Sequence, residues 1–167
     1  MENNMMTFKA GIAAFFTAIG ALLGWQGVMI VVWVVAMLLD YLSGTFAALK
    51  AGQWSSSVAR DGLWHKGGMI LVVLVAGTAD LIMGIVCDNL PLGMTWPVLI
   101  LPLVLAWYIL TELGSILENA VKMGAPIPAW LVKLLKVGEQ IIDRVGEAVN
   151  PDKGTEEPEA LAAKNTE

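Results

Sequence analysis

The stretch AGIAAFFTAIGALLGWQGVMIVVWVVAMLLD, residues 10–40, carries no ionisable side chain before its last residue, Asp40. An α-helix rises about 1.5 Å per residue, so about 20 apolar residues cross a bilayer core about 30 Å thick. The 30 uncharged residues are therefore too many for one ordinary crossing. The sequence Gly24-Trp25-Gln26-Gly27 offers a break, and we expect one helix over 8–24 and another over 28–49.

The composition of the whole chain is that of a membrane protein. Of its 167 residues, 57% are hydrophobic and 15% are charged. The mean hydropathy of +0.69 lies outside the range of ordinary soluble domains. Two more apolar segments, 67–86 and 96–117, have the length of a span. These patterns predict an all-α, multi-span transmembrane protein with about four helices within residues 1–123.

Segment 8–24 is short for a crossing, because its 17 residues reach only about 25 Å. It either crosses the membrane, lies in the interface, or joins the next segment in one tilted helix.

Basic residues indicate how the spans are oriented, since short loops rich in Lys and Arg stay in the cytoplasm. The loop from Cys87 to Thr95 contains neither Lys nor Arg, which predicts an external position. The basic residues of the two other connections are Lys50, Arg60 and Lys66, then Lys122, Lys133, Lys136 and Arg144. Four crossings with both termini in the cytoplasm satisfy this distribution.

The chain changes character after the fourth predicted span. Gly124-Ala125-Pro126-Ile127-Pro128 breaks the helix, because proline lacks an amide donor and restricts the residue before it. Within residues 124–149 the apolar and charged side chains alternate at helical spacing, which predicts an amphipathic cytoplasmic helix on the membrane or on a partner. Residues 150–167 hold five acids and two lysines, and we expect this tail to be disordered.

The residue types that most enzymes need are scarce. One histidine and one cysteine cannot form a zinc site of the Cys and His kind, and no phosphate-binding glycine loop is present. The aspartates in LLDYLSG and GTADLIMG lack the glycine-aspartate signature of intramembrane aspartyl proteases. We therefore expect no catalytic, cofactor-binding or metal-binding residues, and no nucleic-acid partner.

Three acids, Asp40, Asp80 and Glu112, fall inside predicted spans. Each would cost about 3 kcal/mol near the bilayer centre if it were ionised and unpartnered. They either fasten helices within one subunit or line a water-filled opening in an oligomer. The polar and small residues that we expect at these positions are Asp40, Gly44, Asp80, Gly84, Glu112, Ser115, Glu118 and Asn119.

Three blocks of the sequence resemble the phage lysis and toxin-secretion holin family. The most specific is TELGSILENAVKMGAPIPAWLVKLL, residues 111–135, in which a helix reading roughly E-L-x-S-I-L-E-N runs into G-x-P-I-P. DYLSGTFAALKAGQWSSS, residues 40–57, and WHKGGMILVVLVAGTADLI, residues 64–82, are similar to two earlier segments of the same family. The resemblance covers about residues 28–136.

The resemblance implies a small, non-enzymatic phage protein of the host bacterial cytoplasmic membrane. Such a protein forms homo-oligomers in the lipid bilayer and permeabilises it at a set time. An endolysin then reaches the cell wall, or a toxin is released. No direct contact between the endolysin and this protein is implied. On this reading the three intramembrane acids are satisfied in compact assemblies and face water once a lesion opens. A subunit of a small ion channel or transporter, and a structural adaptor, remain the alternatives.

Overall fold

The computed structural model describes residues 2–91 and 93–149, and this part of the chain is helical without strands. The helices are α1, Glu2–Lys50; α2, Ser56–Asn89; α3, Ile100–Lys122; and α4, Ala129–Val149. The expected all-α class is confirmed. The acidic tail 150–167 lies outside the described residues, so its disorder stays a prediction.

The break expected near Gly24 takes the form of a kink within one helix. Gly24 has φ 70° and ψ −174°, while helical structure continues on both sides of it. Only glycine adopts such a positive φ without steric cost, which explains why the kink falls at this residue. Segments 8–24 and 28–49 are therefore joined directly, without an intervening loop.

Three helices are long and apolar enough to cross a membrane: Gly24–Lys50, Ala59–Asn89 and Ile100–Lys122. A crossing by segment 8–24 stays a prediction. The helix α2 begins at Ser56, eleven residues before the predicted span at 67, because hydropathy marks only the part of a helix that lies in lipid. Lys66, which the sequence analysis assigned to a loop, consequently lies on α2.

The helix α3 lies in the middle of the bundle, where it contacts α1, α2 and α4, whereas α1 and α2 hardly touch each other. The core is small and consists of Trp33, Met37, Met69, Val73 and Leu105. Most of the remaining large apolar side chains point outward. An apolar exterior around a small core is the arrangement expected of helices whose solvent is lipid.

The chain reverses direction between α3 and α4. Gly124 has φ 92°, a left-handed conformation that favours glycine, and the ammonium of Lys50 donates to the carbonyl of Met123 at the same corner. Pro128 then directly precedes the first residue of α4. As a result α4 runs antiparallel to α3, and Gly138 comes close to Leu110.

Candidate intramembrane polar site

Lys66 joins three helices through two carboxylates. Its ammonium donates to both oxygens of Glu112 at 2.7 Å and to Oδ2 of Asp40 at 2.9 Å. The side chains of Lys66, Asp40 and Glu112 are 12%, 19% and 4% exposed. An intramembrane lysine between two acids is the pairing that makes charged groups tolerable away from water. We call these three residues the Lys66 cluster.

The three residues meet because each lies equally far from one end of its helix. Asp40 lies ten residues before Lys50, Glu112 ten residues before Lys122, and Lys66 ten residues after Ser56. At about 1.5 Å per residue, each is about 15 Å along its helix from that end of the bundle. The Lys66 cluster therefore lies within the membrane-crossing length of the helices.

Asn119 extends the cluster toward the Lys50 and Lys122 end. Its amide nitrogen donates to Oδ1 of Asp40 at 3.2 Å and to the hydroxyl of Ser43 at 3.1 Å. A Cβ atom built on Gly44 would lie 3.4 Å from that same nitrogen. A methyl group at this position would just reach contact with Asn119, so the close approach of α1 and α3 leaves no room for a larger side chain.

We expect Gly44→Leu to separate α1 from α3 at Asn119 and to destabilise the chain by about 1–3 kcal/mol, the usual cost of overpacking. Gly44→Ala should cost far less, because its Cβ lies only slightly inside ordinary contact distance. Thermal unfolding in detergent micelles measures both. Equal stability of the leucine and alanine variants would contradict the close approach.

A cavity of about 310 Å³ lies between α1, α2 and α3 beside the cluster. Asp40, Gly44, Ser115, Glu118 and Asn119, all expected from the sequence, line it together with residues that were not expected. Its remaining polar walls include His65 and Lys66 from α2 and Lys122 from α3. The cavity surrounds polar side chains at the end of the bundle that holds the basic residues.

Asp80 has a different set of hydrogen-bond partners and lies away from the Lys66 cluster. It is 4% exposed. One carboxylate oxygen accepts from the indole of Trp96 at 2.9 Å and from the amides of Leu99 and Ile100 at 3.1 Å, and the other accepts from the amide of Leu101 at 2.7 Å.

These bonds cap the first turn of α3. The first amides of a helix have no partner inside the helix, and Leu99 at the N-cap position supplies no side-chain cap. Asp80 provides that cap from α2. Pro102, which follows Leu101, has no amide hydrogen that would need a partner. A carboxylate at the positive end of the helix dipole adds to this stabilisation. Asp80 thus fixes where α3 begins.

Gly84, the last residue expected from the sequence, lies one turn beyond Asp80 on α2. A Cβ there would meet nothing within 4 Å. Packing within one chain therefore does not require glycine at this position.

Lys66 is not among the residues expected at this site, because the distribution of basic residues predicts that it lies in a loop. The signal that points to it is the presence of two intramembrane acids, Asp40 and Glu112, that need a counter-charge. Among residues 2–91 and 93–149, no group of three or more His, Cys, Asp or Glu side chains could hold a metal ion.

The chain is similar to several bacterial proteins over most of its length. The chain is 32% identical to an uncharacterized 14.9 kDa protein of the nagH 3' region in Clostridium perfringens, over 81% of this chain and 96% of that protein. It is 32% identical to an uncharacterized protein of Listeria innocua over 77% of this chain and 84% of the relative.

A third relative, an uncharacterized protein of Halalkalibacterium halodurans, is 28% identical over 77% of this chain and 91% of its own. No solved structure matches the chain. The model of the bacteriophage holin family matches residues 17–139, which span α1 to α4 and include the Lys66 cluster and Asp80. This membrane protein therefore belongs to the bacteriophage holin family.

Proposed function

We propose that the chain self-associates in the host cytoplasmic membrane and opens timed lesions there, through which an endolysin or a toxin leaves the cytoplasm. Membership of a holin family and three helices of membrane-crossing length support this proposal. Proteins of such families are generally not enzymes, and we assign no catalytic residue to this chain.

The Lys66 cluster is the observation that carries the proposal furthest. Within one chain the ammonium of Lys66 and the carboxylates of Asp40 and Glu112 are paired with one another, so each charge in a single copy has an opposite charge beside it. These pairs join α1, α2 and α3. A lesion opens when these helices separate and water replaces the lost partners, which keeps the charged groups solvated in both states.

The proposed role of Asp80 differs from that of the two other intramembrane acids, with which its sequence position grouped it. Its carboxylate is held by three amides and one indole of the same chain. Exposing it to a lesion would uncap α3. We propose that Asp80 keeps α3 intact in both states, while Asp40 and Glu112 are the acids that become solvated.

Self-association requires a surface that one chain leaves uncovered, and half-buried Gly84 lies at the edge of such a surface. Small residues let helices of neighbouring copies approach closely in lipid, where van der Waals packing drives association. The side chains of Leu81 and Ile85 beside it are 63% and 52% exposed. The face of α2 around Gly84 is our candidate for contact between copies.

We expect Gly84→Leu to leave the stability of a single chain unchanged but to delay lysis and weaken oligomers trapped by chemical cross-linking in membranes. The reason is that a Cβ atom at this position has no neighbour within 4 Å in the same chain, whereas the larger side chain would block an approaching copy. Gly67→Leu, also on α2 with open space, is the matched control at the other end of the apolar segment. Unchanged lysis timing in the Gly84 variant would remove this face from the contact.

Expression in a bacterium tests the proposed function. Viability, membrane potential and release of a co-expressed endolysin are followed after induction. We expect a delay, then an abrupt collapse of the potential with endolysin-dependent lysis. A gradual fall in potential without lysis would indicate a small ion channel instead, and an unchanged potential would indicate a structural adaptor.

A further inference from the structure

The docking of α4 along α3 has no role in the function proposed so far. The two helices are antiparallel and closely packed, since a Cβ atom on Gly138 would lie 3.0 Å from Cδ1 of Leu110. Farther along, Ile142 and Gly146 of α4 share a groove with Leu103 and Trp107 of α3. The far end of α4 thus lies beside the first turns of a membrane-crossing helix.

The length of α4 matches that of the membrane. Its 21 residues extend about 31 Å, close to the thickness of a bilayer core of about 30 Å. This docked helix carries Lys133, Lys136, Glu139, Asp143, Arg144 and Glu147. Asp143 and Glu147 reach the level of Leu103 and Trp107, far from the end where α3 terminates.

The surface of α4 divides into three strips. One strip, including Leu131, Leu135 and Ile142, is partly covered by packing. A second strip remains uncovered although it is apolar, and consists of Trp130, Leu134, Val137 and Ile141. The third contains the exposed polar residues Lys133, Lys136, Gln140, Asp143, Arg144 and Glu147.

The polar strip of α4 and the apolar surfaces of α1 and α2 require different solvents at the same depth in the membrane. Charged side chains are strongly disfavoured in hydrocarbon, so a helix docked at this depth cannot present its polar strip to lipid. The lipid-exposed surfaces of α1 and α2 require hydrocarbon at that same depth. The polar strip of α4 therefore needs water, while the opposite side of the bundle needs hydrocarbon. The wall of an aqueous lesion has these two solvents on its two sides.

We propose that α4, docked along α3, forms the water-facing wall of the open lesion and presents its polar strip to the aqueous path. The inference rests on the proposed function, because it assigns a lining to the lesion. The turn at Gly124–Pro128 supplies a backbone break about which α4 reaches this position from the membrane surface. The charges of α4 then set which ions pass most readily, as rings of charged side chains do in channels.

The test uses the full chain in planar bilayers, with Cys87→Ser removing the native thiol and Gln140→Cys placing one thiol on the polar strip. A negatively charged methanethiosulfonate is added after lesions have opened, so that folding and assembly precede the modification. In about 10 mM salt, where charges act over about 30 Å, we expect the ratio of cation to anion permeability to rise at least about twofold, because the added charges lie on the wall of the path. Ile141→Cys, next in the chain but on the apolar strip, is the matched control and should show no rise.

An unchanged ratio for modified Gln140→Cys in open lesions, with modification verified by mass spectrometry, would overturn the inference. So would an equal rise for Ile141→Cys, since the lining would then not follow the polar strip. Absence of lesions with the unaltered chain would instead contradict the proposed function itself, and it is recognised before any thiol is modified.

Discussion

Replacing Lys66 by methionine is expected to destabilise the folded chain by about 3–5 kcal/mol, the typical cost of removing one partner of a buried ion pair. The carboxylates of Asp40 and Glu112 would lose the ammonium that lies 2.9 and 2.7 Å from them. Glu112 is 4% exposed, so water cannot readily replace that partner in the packed chain. Thermal unfolding in detergent micelles measures the loss.

In cells the same substitution should shorten the delay before lysis, because the contacts joining α1, α2 and α3 become unfavourable. Arg60→Met is the matched control, since it removes an exposed basic residue from the same helix. The triple variant Lys66→Met, Asp40→Asn, Glu112→Gln should recover most of the lost stability, because it leaves no uncompensated charge. Equal stability of Lys66→Met and Arg60→Met would show that the cluster does not hold the helices together.

Replacing Asp80 by alanine is expected to cost about 2–4 kcal/mol, since buried donors left without partners are expensive and caps contribute strongly to helix stability. Leu99, Ile100 and Leu101 would lose the acceptor of their amides. Inside a membrane little water is present to take its place. The first turn of α3 should therefore fray.

Hydrogen exchange of the amides of residues 99–101 reports this fraying directly and should accelerate in Asp80→Ala. Asp80→Asn should show a smaller effect, because the amide side chain keeps one acceptor oxygen. Asp88→Ala removes an exposed acid from the same helix and serves as the control. Exchange at 99–101 that stays as slow as in the control would rule out the capping role.

The apolar runs were sufficient to predict the helical class, because uncharged stretches of that length are stable only as helices in lipid. The sequence singled out Asp40, Glu112 and Asn119 as polar residues within predicted spans but left open whether they fasten helices or line an opening. The structure brings these three together around Lys66. Hydropathy did not indicate that α2 begins before its apolar segment. It therefore did not indicate that Lys66 lies on α2.

The partners of Asp80 could not be found from local spacing. They lie 16 to 21 residues away, beyond the end of α2, and they are mostly backbone amides whose availability depends on where α3 begins. The position of α4 could not be predicted from the sequence either. An amphipathic pattern predicts that a helix has a polar face and an apolar face, but not which surface covers the apolar face. Gly138, which permits the contact with Leu110, carries no such signal in the sequence.

Release from lipid vesicles shows directly whether the proposed lesion passes folded proteins. The purified full chain is reconstituted into vesicles that contain a small dye and a fluorescent protein with different colours. We expect both to be released together after a delay that shortens as the amount of chain per vesicle rises. Release of the dye alone, beginning without delay, would contradict a holin lesion and indicate a narrow channel.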